Sequence, residues 1–378
     1  MEYQYLLYIS LVIITLYLSI TIANRLIKLS IVPVKYPEID GLRGYLAFFV
    51  FLHHSYIWSH YLKTNKWEEP ESNLFNQFGQ TSVTLFFIIT AFLFITKLID
   101  KKKIDFDWNK YIIARFFRMF PMYFFSVCLV LIIVAVETNF ELRESFTTVI
   151  KNSLSWIFFS IDGSVNVNSL ENTFQINSGV AWSLPYELMF YFLLPIFAIF
   201  FKIKVNYKVV LSFILVFLII LYINQSSLKK FIPFLGGIFS ALLLKNINCN
   251  ILKQTKFTFI ALFLLVLSVL YFNNGRAIVP IIISTFLFII IASGNSFFGV
   301  LSTAFSRKFG QITYSIYLIH GIVLFIIFRY IIGYEEASKL SELKYWGIIA
   351  ITVFPVIILS QITYKLIELP LMNINKTK

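Results

Sequence analysis

A few groups able to move protons or hold anions stand in stretches otherwise suited to lipid. Arg43 and His54 are eleven residues apart in the apolar run 42–62. At about 100° per residue this is three turns plus about 20°, so both sit on one helix face, roughly 16 Å apart along the axis. A neutral imidazole there can take a proton from a hydroxyl or accept an acyl group itself. Each residue has a plainer alternative: Arg43 as an interface anchor whose stem lies in lipid, His54 as an interhelical hydrogen-bond partner. Glu187 lies about six residues inside the run 181–201, roughly 9 Å deep, and His54 roughly 12 Å from the matching end of its own run. A buried carboxylate needs a partner, so the expectation is that Glu187 holds His54; another polar partner for Glu187 is the alternative.

Arg115 and Arg118, three apart at the mouth of the run 119–136, can face one ligand. Only eight of the 32 Lys and Arg are Arg, and a guanidinium fork suits phosphate where a flanking charge could be Lys. Plain flanking charge is the other reading. Tyr314, Tyr317 and His320 form a seam at i, i+3, i+6, expected to hydrogen-bond between helices. His53 faces about 100° away from His54 and is expected to be structural, and His60 interfacial. The chain lacks a Walker loop, G-x-G-x-x-G or HExxH, so nucleotide hydrolysis and zinc proteolysis lose their usual warrants. With two cysteines, Cys128 and Cys249, neither a disulfide framework nor a metal site is expected.

The elements that position these residues follow from composition. The 378 residues are 58% hydrophobic and 13% charged, with mean hydropathy +0.80, which excludes an ordinary soluble domain. A helix needs about 20 apolar residues to cross a bilayer, and eleven runs approach that length: 4–24, 42–62, 81–99, 119–136, 181–201, 209–223, 231–244, 257–272, 277–293, 310–330 and 346–366. The fold expected is an all-α integral membrane protein of about eleven transmembrane helices. The first run has no basic leader and no small-x-small cleavage pattern, so it reads as a retained helix rather than a signal peptide.

The net charge of +13 marks topology rather than a nucleic-acid partner. With the N-terminus outside, 22 of the 32 Lys and Arg fall on the inner side, and of the 19 acids five lie inside, twelve outside and two, Glu187 and Glu368, within a span or at its end. The expected topology is N-terminus out, C-terminus cytoplasmic. The longest inner loop, about 100–118, carries Lys101, Lys102, Lys103, Lys110, Arg115 and Arg118; the longest outer stretch, 137–180, is polar and acidic. Within it, 146–160 reads as an amphipathic segment lying at the interface.

Seven stretches in order carry a resemblance: IDGLRGYLAFFVFLHHS (39–55), FFIITAFL (86–93), ARFFRMFPMY (114–123), WSLPYELMFY (182–191), FLGGIFSALL (234–243), GQITYSIYLIH (310–320) and LIELP (366–370). Together the chain resembles the membrane-bound acyltransferase type 3 family. It departs from the family at Thr90-Ala91, where Ser-Gly is usual. The resemblance implies an extra N-terminal helix and connector over 1–37, a ten-helix acyltransferase domain over 38–372 and a cytoplasmic tail over 373–378. It also implies transfer of an acyl group, commonly acetyl from acetyl-CoA, to a hydroxyl of a cell-surface or lipid-linked saccharide, in the inner membrane of a bacterium.

Carried over by position, His54 is the catalytic histidine, with Glu187 beside it. Arg43, Arg115 and Arg118 are donor-side, and Trp182, Tyr186, Tyr314, Tyr317 and His320 are substrate or structural candidates. No metal is expected, and without a C-terminal hydrolase-like domain the chain would act alone or with a separate acyl-accepting partner. General-base and acyl-histidine versions of the mechanism both stand. A saccharide flippase or transporter would also line a path with charges, and a saccharide polymerase or ligase would fit the span count. The outer stretch 137–180, however, contains only Arg143 and no His for such chemistry.

Overall fold

The computed structural model describes residues 2–100, 107–161, 163–201, 203, 205–224 and 227–373, with side chains from residue 5 onward. Lys101, Lys102 and Lys103 of the basic loop and residues 374–378 of the tail lie outside the described residues. All eleven apolar runs are helical: α1 (Glu2–Ile27), α2 (Pro37–Thr64), α3 (Asn73–Asp100), α4 (Trp108–Glu137), then after the short α5 (Phe146–Ile157), α6 (Leu184–Phe200), α7 (Tyr207–Asn224), α8 (Ile232–Asn246), α9 (Thr255–Tyr271) and α10 (Ile278–Ala292). The run 310–330 divides into the end of α11 (Ala304–Gln311), α12 (Thr313–Ile326) and a π-helical continuation, Ile327–Ile332. After the short α13 (Tyr334–Ser338), α14 (Glu342–Thr363) passes through a second π segment, Tyr364–Glu368, into α15 (Leu369–Asn373). Among the described residues no strand forms, and the protein is an all-α membrane protein.

Among the described residues seven helices are long and apolar enough to cross a membrane: α1, α3, α4, α6 with its leading turn, α7, α12 with its π segment, and α14 with its continuation; α9 and α10 are shorter apolar helices. The helix with the most chemistry, α2, is not among the seven. It can carry Arg43 and the two histidines because α3, α11 and α12 pack around it, so those groups meet protein rather than lipid. The centre of the bundle is α12, buried without interruption from Ser315 to Phe325. By contrast α7 buries only Phe213 and Ile220 and presents Leu211, Leu215 and Tyr222 outward, as a lipid-facing helix does. The extra helix α1 packs against α14.

α3 begins eight residues before the apolar run because its first turns are polar but bonded inside the protein. The Asn76 amide donates to the Pro70 carbonyl at 2.6 Å, Gln77 to Phe272 at 2.8 Å, and Gln80 accepts from the Gly275 amide at 2.7 Å. α5 is the amphipathic segment: Ser145 accepts from the Thr148 amide as its N-cap. Trp156 is buried, while Phe146, Ile150 and Leu154, one every four residues, are exposed on one stripe, which suits a helix lying in the interface.

Small residues set the closest crossings. A Cβ on Gly310 would strike the Asp40 carbonyl, and one on Gly237 would strike the Ile88 carbonyl and approach the Ala91 methyl to 2.7 Å. Ala91, the departure from Ser-Gly noted above, thus still presents only a methyl to α8. Gly347 has open space around it. Gly310→Ala should destabilise the purified protein by about 1–3 kcal/mol, since backbone meets backbone and neither yields cheaply, whereas Gly347→Ala should be neutral or slightly stabilising. Equal thermal midpoints for the two variants would show that α2 and α11 part freely.

Candidate active site

Where α2 crosses α12, His54 Nδ1 lies 2.9 Å from His320 Nε2, and His320 Nδ1 lies 2.9 Å from the Ile316 carbonyl oxygen one turn back. These two bonds fix the tautomers. A carbonyl can only accept, so His320 Nδ1 carries the hydrogen and, in the neutral ring, Nε2 has the lone pair. His54 Nδ1 must therefore donate, and its Nε2 is left with an exposed lone pair, the form a proton acceptor needs. His320 is fully buried and His54 half-buried. His53, as expected, is structural: its Nδ1 pairs with the Phe75 carbonyl oxygen at 2.8 Å.

The expected Glu187–His54 pair does not form. Glu187 accepts from the Tyr191 hydroxyl one turn along α6, and its charge faces Arg43 across the bundle. Equal depth was a sound constraint, but rotation about the helix axes decides which groups meet, and it gives His54 the imidazole of His320 instead. His320 therefore does more than bond one helix to another, since it sets the protonation pattern of His54.

Arg43, Arg115, Arg118, Glu187, Tyr314 and Tyr317 do come together, lining one cavity of about 160 Å³ with Tyr191, Ser183 and Thr90. The two arginines of α4 are not equivalent. Arg118 is paired with Glu368 at 3.1 Å, and buried Glu368 also accepts from the Ser315 hydroxyl. Arg115 lies over the Phe94 ring at 4.9 Å, and its buried Nε has no hydrogen-bond partner. Arg115 is thus the guanidinium with donors to spare. Arg43 is 3.9 Å from Asp40 and belongs both to this cavity and to a second of about 480 Å³ lined by Lys35, Asp40, Lys97 and Asp100. The two spaces meet at Arg43.

At its far end the cavity reaches Tyr317, whose hydroxyl pairs with Ser183 Oγ at 2.8 Å and donates to the Val180 carbonyl at 3.0 Å. The Tyr317 ring is 6.3 Å from that of His320, so the histidine pair lies one side chain beyond the cavity. Tyr314 donates to the Met119 carbonyl at 2.9 Å. Trp182 and Tyr186 do not line the cavity; their rings are 6.0 Å apart, each 6.4 Å from Phe87 of its wall.

Sequence reasoning did not find the roles of Glu368, Tyr191, Lys230 or Arg276. Tyr191 was findable as the i+4 neighbour of Glu187. Glu368 is carried to Arg118 by the π segment, whose register no spacing rule gives. Lys230 and Arg276 sit in turns between helices with no local signal at all.

The half-buried His54 imidazole, with one nitrogen unbonded, thus stands near a chamber lined by arginines inside a bundle of membrane helices. The family model described as acyltransferase domain matches residues 36–365, and the chain belongs to this acyltransferase 3 family as a multi-pass membrane acyltransferase. No curated protein and no solved structure matches it.

Substituting His320 separates positioning from chemistry. His320→Ala should lower kcat about a hundredfold by letting the ring turn, with little change in KM for the donor. His320→Gln, which offers an acceptor to His54 Nδ1, should restore part of the rate. Full activity in His320→Ala would remove this residue from the reaction.

Proposed function

We propose that this acyltransferase moves an acyl group, acetyl from acetyl-CoA, from the cytoplasmic side to a hydroxyl of a cell-surface or lipid-linked saccharide. The single observation that carries the chemistry is the His54–His320 hydrogen bond, because it leaves His54 Nε2 as the acceptor. In the proposed step Nε2 takes the proton of the acceptor hydroxyl as its oxygen attacks the thioester carbon. The tetrahedral intermediate then expels the thiolate of coenzyme A, which takes the proton back from the imidazolium. A new ester and free coenzyme A result, and His54 returns to its neutral form. Such general-base assistance is worth about 10²–10⁴-fold.

The donor end follows from charge. Arg43, Arg115, Lys35 and Lys97 gather where the two cavities meet the end of the bundle, and Lys and Arg concentrate on the cytoplasmic side of membrane proteins. Coenzyme A is cytosolic and polyanionic. The smaller cavity suits the thin pantetheine arm rather than the nucleotide, so the nucleotide belongs in the wider one, and Arg115, which lines the smaller, takes a phosphate nearest the arm. A flippase would need no thioester and gives no reason for the fixed tautomer of His54.

His54→Ala should leave the protein in the membrane but reduce saccharide acylation by about 10²–10⁴-fold, read by mass spectrometry of surface glycans. Acylation at the normal level in that variant would refute the proposed base. Arg115→Lys should raise the Kd for acetyl-CoA about tenfold, a charge-assisted bond being worth roughly 1.5–3 kcal/mol. An unchanged Kd would leave Arg115 a topology marker.

A further inference from the structure

At the end of the bundle away from Arg43 and Arg115, two cations meet one aromatic surface. The Arg276 guanidinium lies 4.6 Å from the centre of the Trp182 ring, and Lys230 Nζ lies 5.0 Å from that ring and 5.0 Å from Tyr186. The three segments are far apart in sequence: Trp182 precedes α6, Lys230 is in the turn Leu228–Phe231 before α8, and Arg276 is in the turn before α10. The Arg276 turn is held in place, with the Gly275 amide bonded to Gln80 and the Arg276 amide to Asn274.

Neither cation is neutralised. Among the described residues neither Lys230 nor Arg276 has a carboxylate within 4.0 Å of its nitrogens. The buried Nε of Arg276 has no hydrogen-bond partner, and the one acid whose charge supports Arg276 is Glu69. Two like charges held beside one indole repel, and attraction to the ring leaves both charges in place. A bound anion would relieve both, and the guanidinium offers it a fork. The Trp182 indole beside it is half-exposed and adds apolar surface against which a sugar ring can pack. Phe87 is 6.4 Å from Trp182 and lines the Arg115 cavity, and the Arg276 charge is felt at Tyr317, so the cluster adjoins the far end of that cavity.

The geometry points to a recognition site for an acidic saccharide, a sugar bearing a carboxylate or a phosphate, with its anionic group held by Lys230 and Arg276 and its ring packed beside Trp182. This rests on the acyl-transfer reading and gives the acceptor its chemical class. The acid group anchors the acceptor at the opposite end from the donor, and a hydroxyl of the same or a neighbouring sugar is directed past Tyr317 toward His54.

The test is equilibrium binding to the full chain in phosphatidylcholine nanodiscs. Hyaluronan tetrasaccharide and glucose 1-phosphate are compared with chitotetraose and glucose, using wild type, Arg276→Gln and Lys230→Gln. The expected result is at least a tenfold lower Kd for one or both acidic sugars over the neutral counterpart, with that preference lost in both variants. A uronate-only or phosphate-only preference identifies which acid is read. Absence of binding by both acidic sugars, equal affinity for neutral sugars, or a preference retained in both variants overturns the site. So does complete displacement of the sugars by phosphatidylglycerol, which would make it a lipid-headgroup site. Acetyl-CoA binding measured on the same preparations tells the two ideas apart: its loss from wild type would sink the donor reading while leaving the sugar preference to stand or fall by itself.

Discussion

A hydrogen-bonding group inside a lipid-embedded bundle has no water to fall back on, and this constraint organises the molecule around the contact between His54 and His320. A ring nitrogen that donates needs an acceptor within the protein, and His320 Nδ1 has the Ile316 carbonyl, on its own helix. The proton arrangement of the pair is therefore dictated from the backbone outward. The same demand explains the neighbouring bonds: Glu187 takes the Tyr191 hydroxyl, and Glu368 takes Arg118 and Ser315, with Thr363 bonded behind Ser315 at 3.1 Å. Buried networks of this kind are stable only when nearly complete. That is why the unpartnered Nε atoms of Arg115 and Arg276 stand out.

Polar groups also explain why α2, the long helix with the candidate base, is less apolar than the long helices that span the membrane. α2 carries charge near one end and imidazoles further along, and it is tolerated because its neighbours shield it. The peripheral helices α7 and α9 have the opposite character, apolar on nearly every face. Stability and chemistry are thus divided between layers: lipid-facing helices supply hydrophobic bulk, and the central α2, α3 and α12 supply shape and polarity.

Much of the fold was legible in the residues because apolar length is a strong signal in a membrane chain, and each of the eleven runs is helical. Ends were less legible. α3 starts early on Asn76, Gln77 and Gln80, which read as loop residues until their internal partners are seen, and the run 310–330 conceals a break at Ile312 between α11 and α12. In the site, spacing along one helix brought out Arg43 with His54 and Arg115 with Arg118. It could not decide how α6 and α12 are rotated about their axes. Depth therefore suggested Glu187 as the partner of His54, while the structure supplies His320, a residue already noted but read as a structural link. Arg118 looked equivalent to Arg115 until the π segment brought Glu368 to it. The two cations beside Trp182 were illegible because three unconnected segments must converge before they mean anything.

The joint between α2 and the segment 304–328 runs nearly the whole length of α2. Gly310 abuts Asp40, Tyr45 bonds Ser306 at 2.8 Å, Phe309 packs on Gly44 and Tyr45, His320 holds His54, and Trp58 lies against Phe328. Contacts at so many levels leave these elements no independent sliding, so the imidazole and its holder travel as one piece. The remaining walls of the chamber come from α3, α4 and α6. The bearing of the His54 ring is accordingly set inside this joint, like a fitting let into a fixed jamb, whatever the chamber beside it holds.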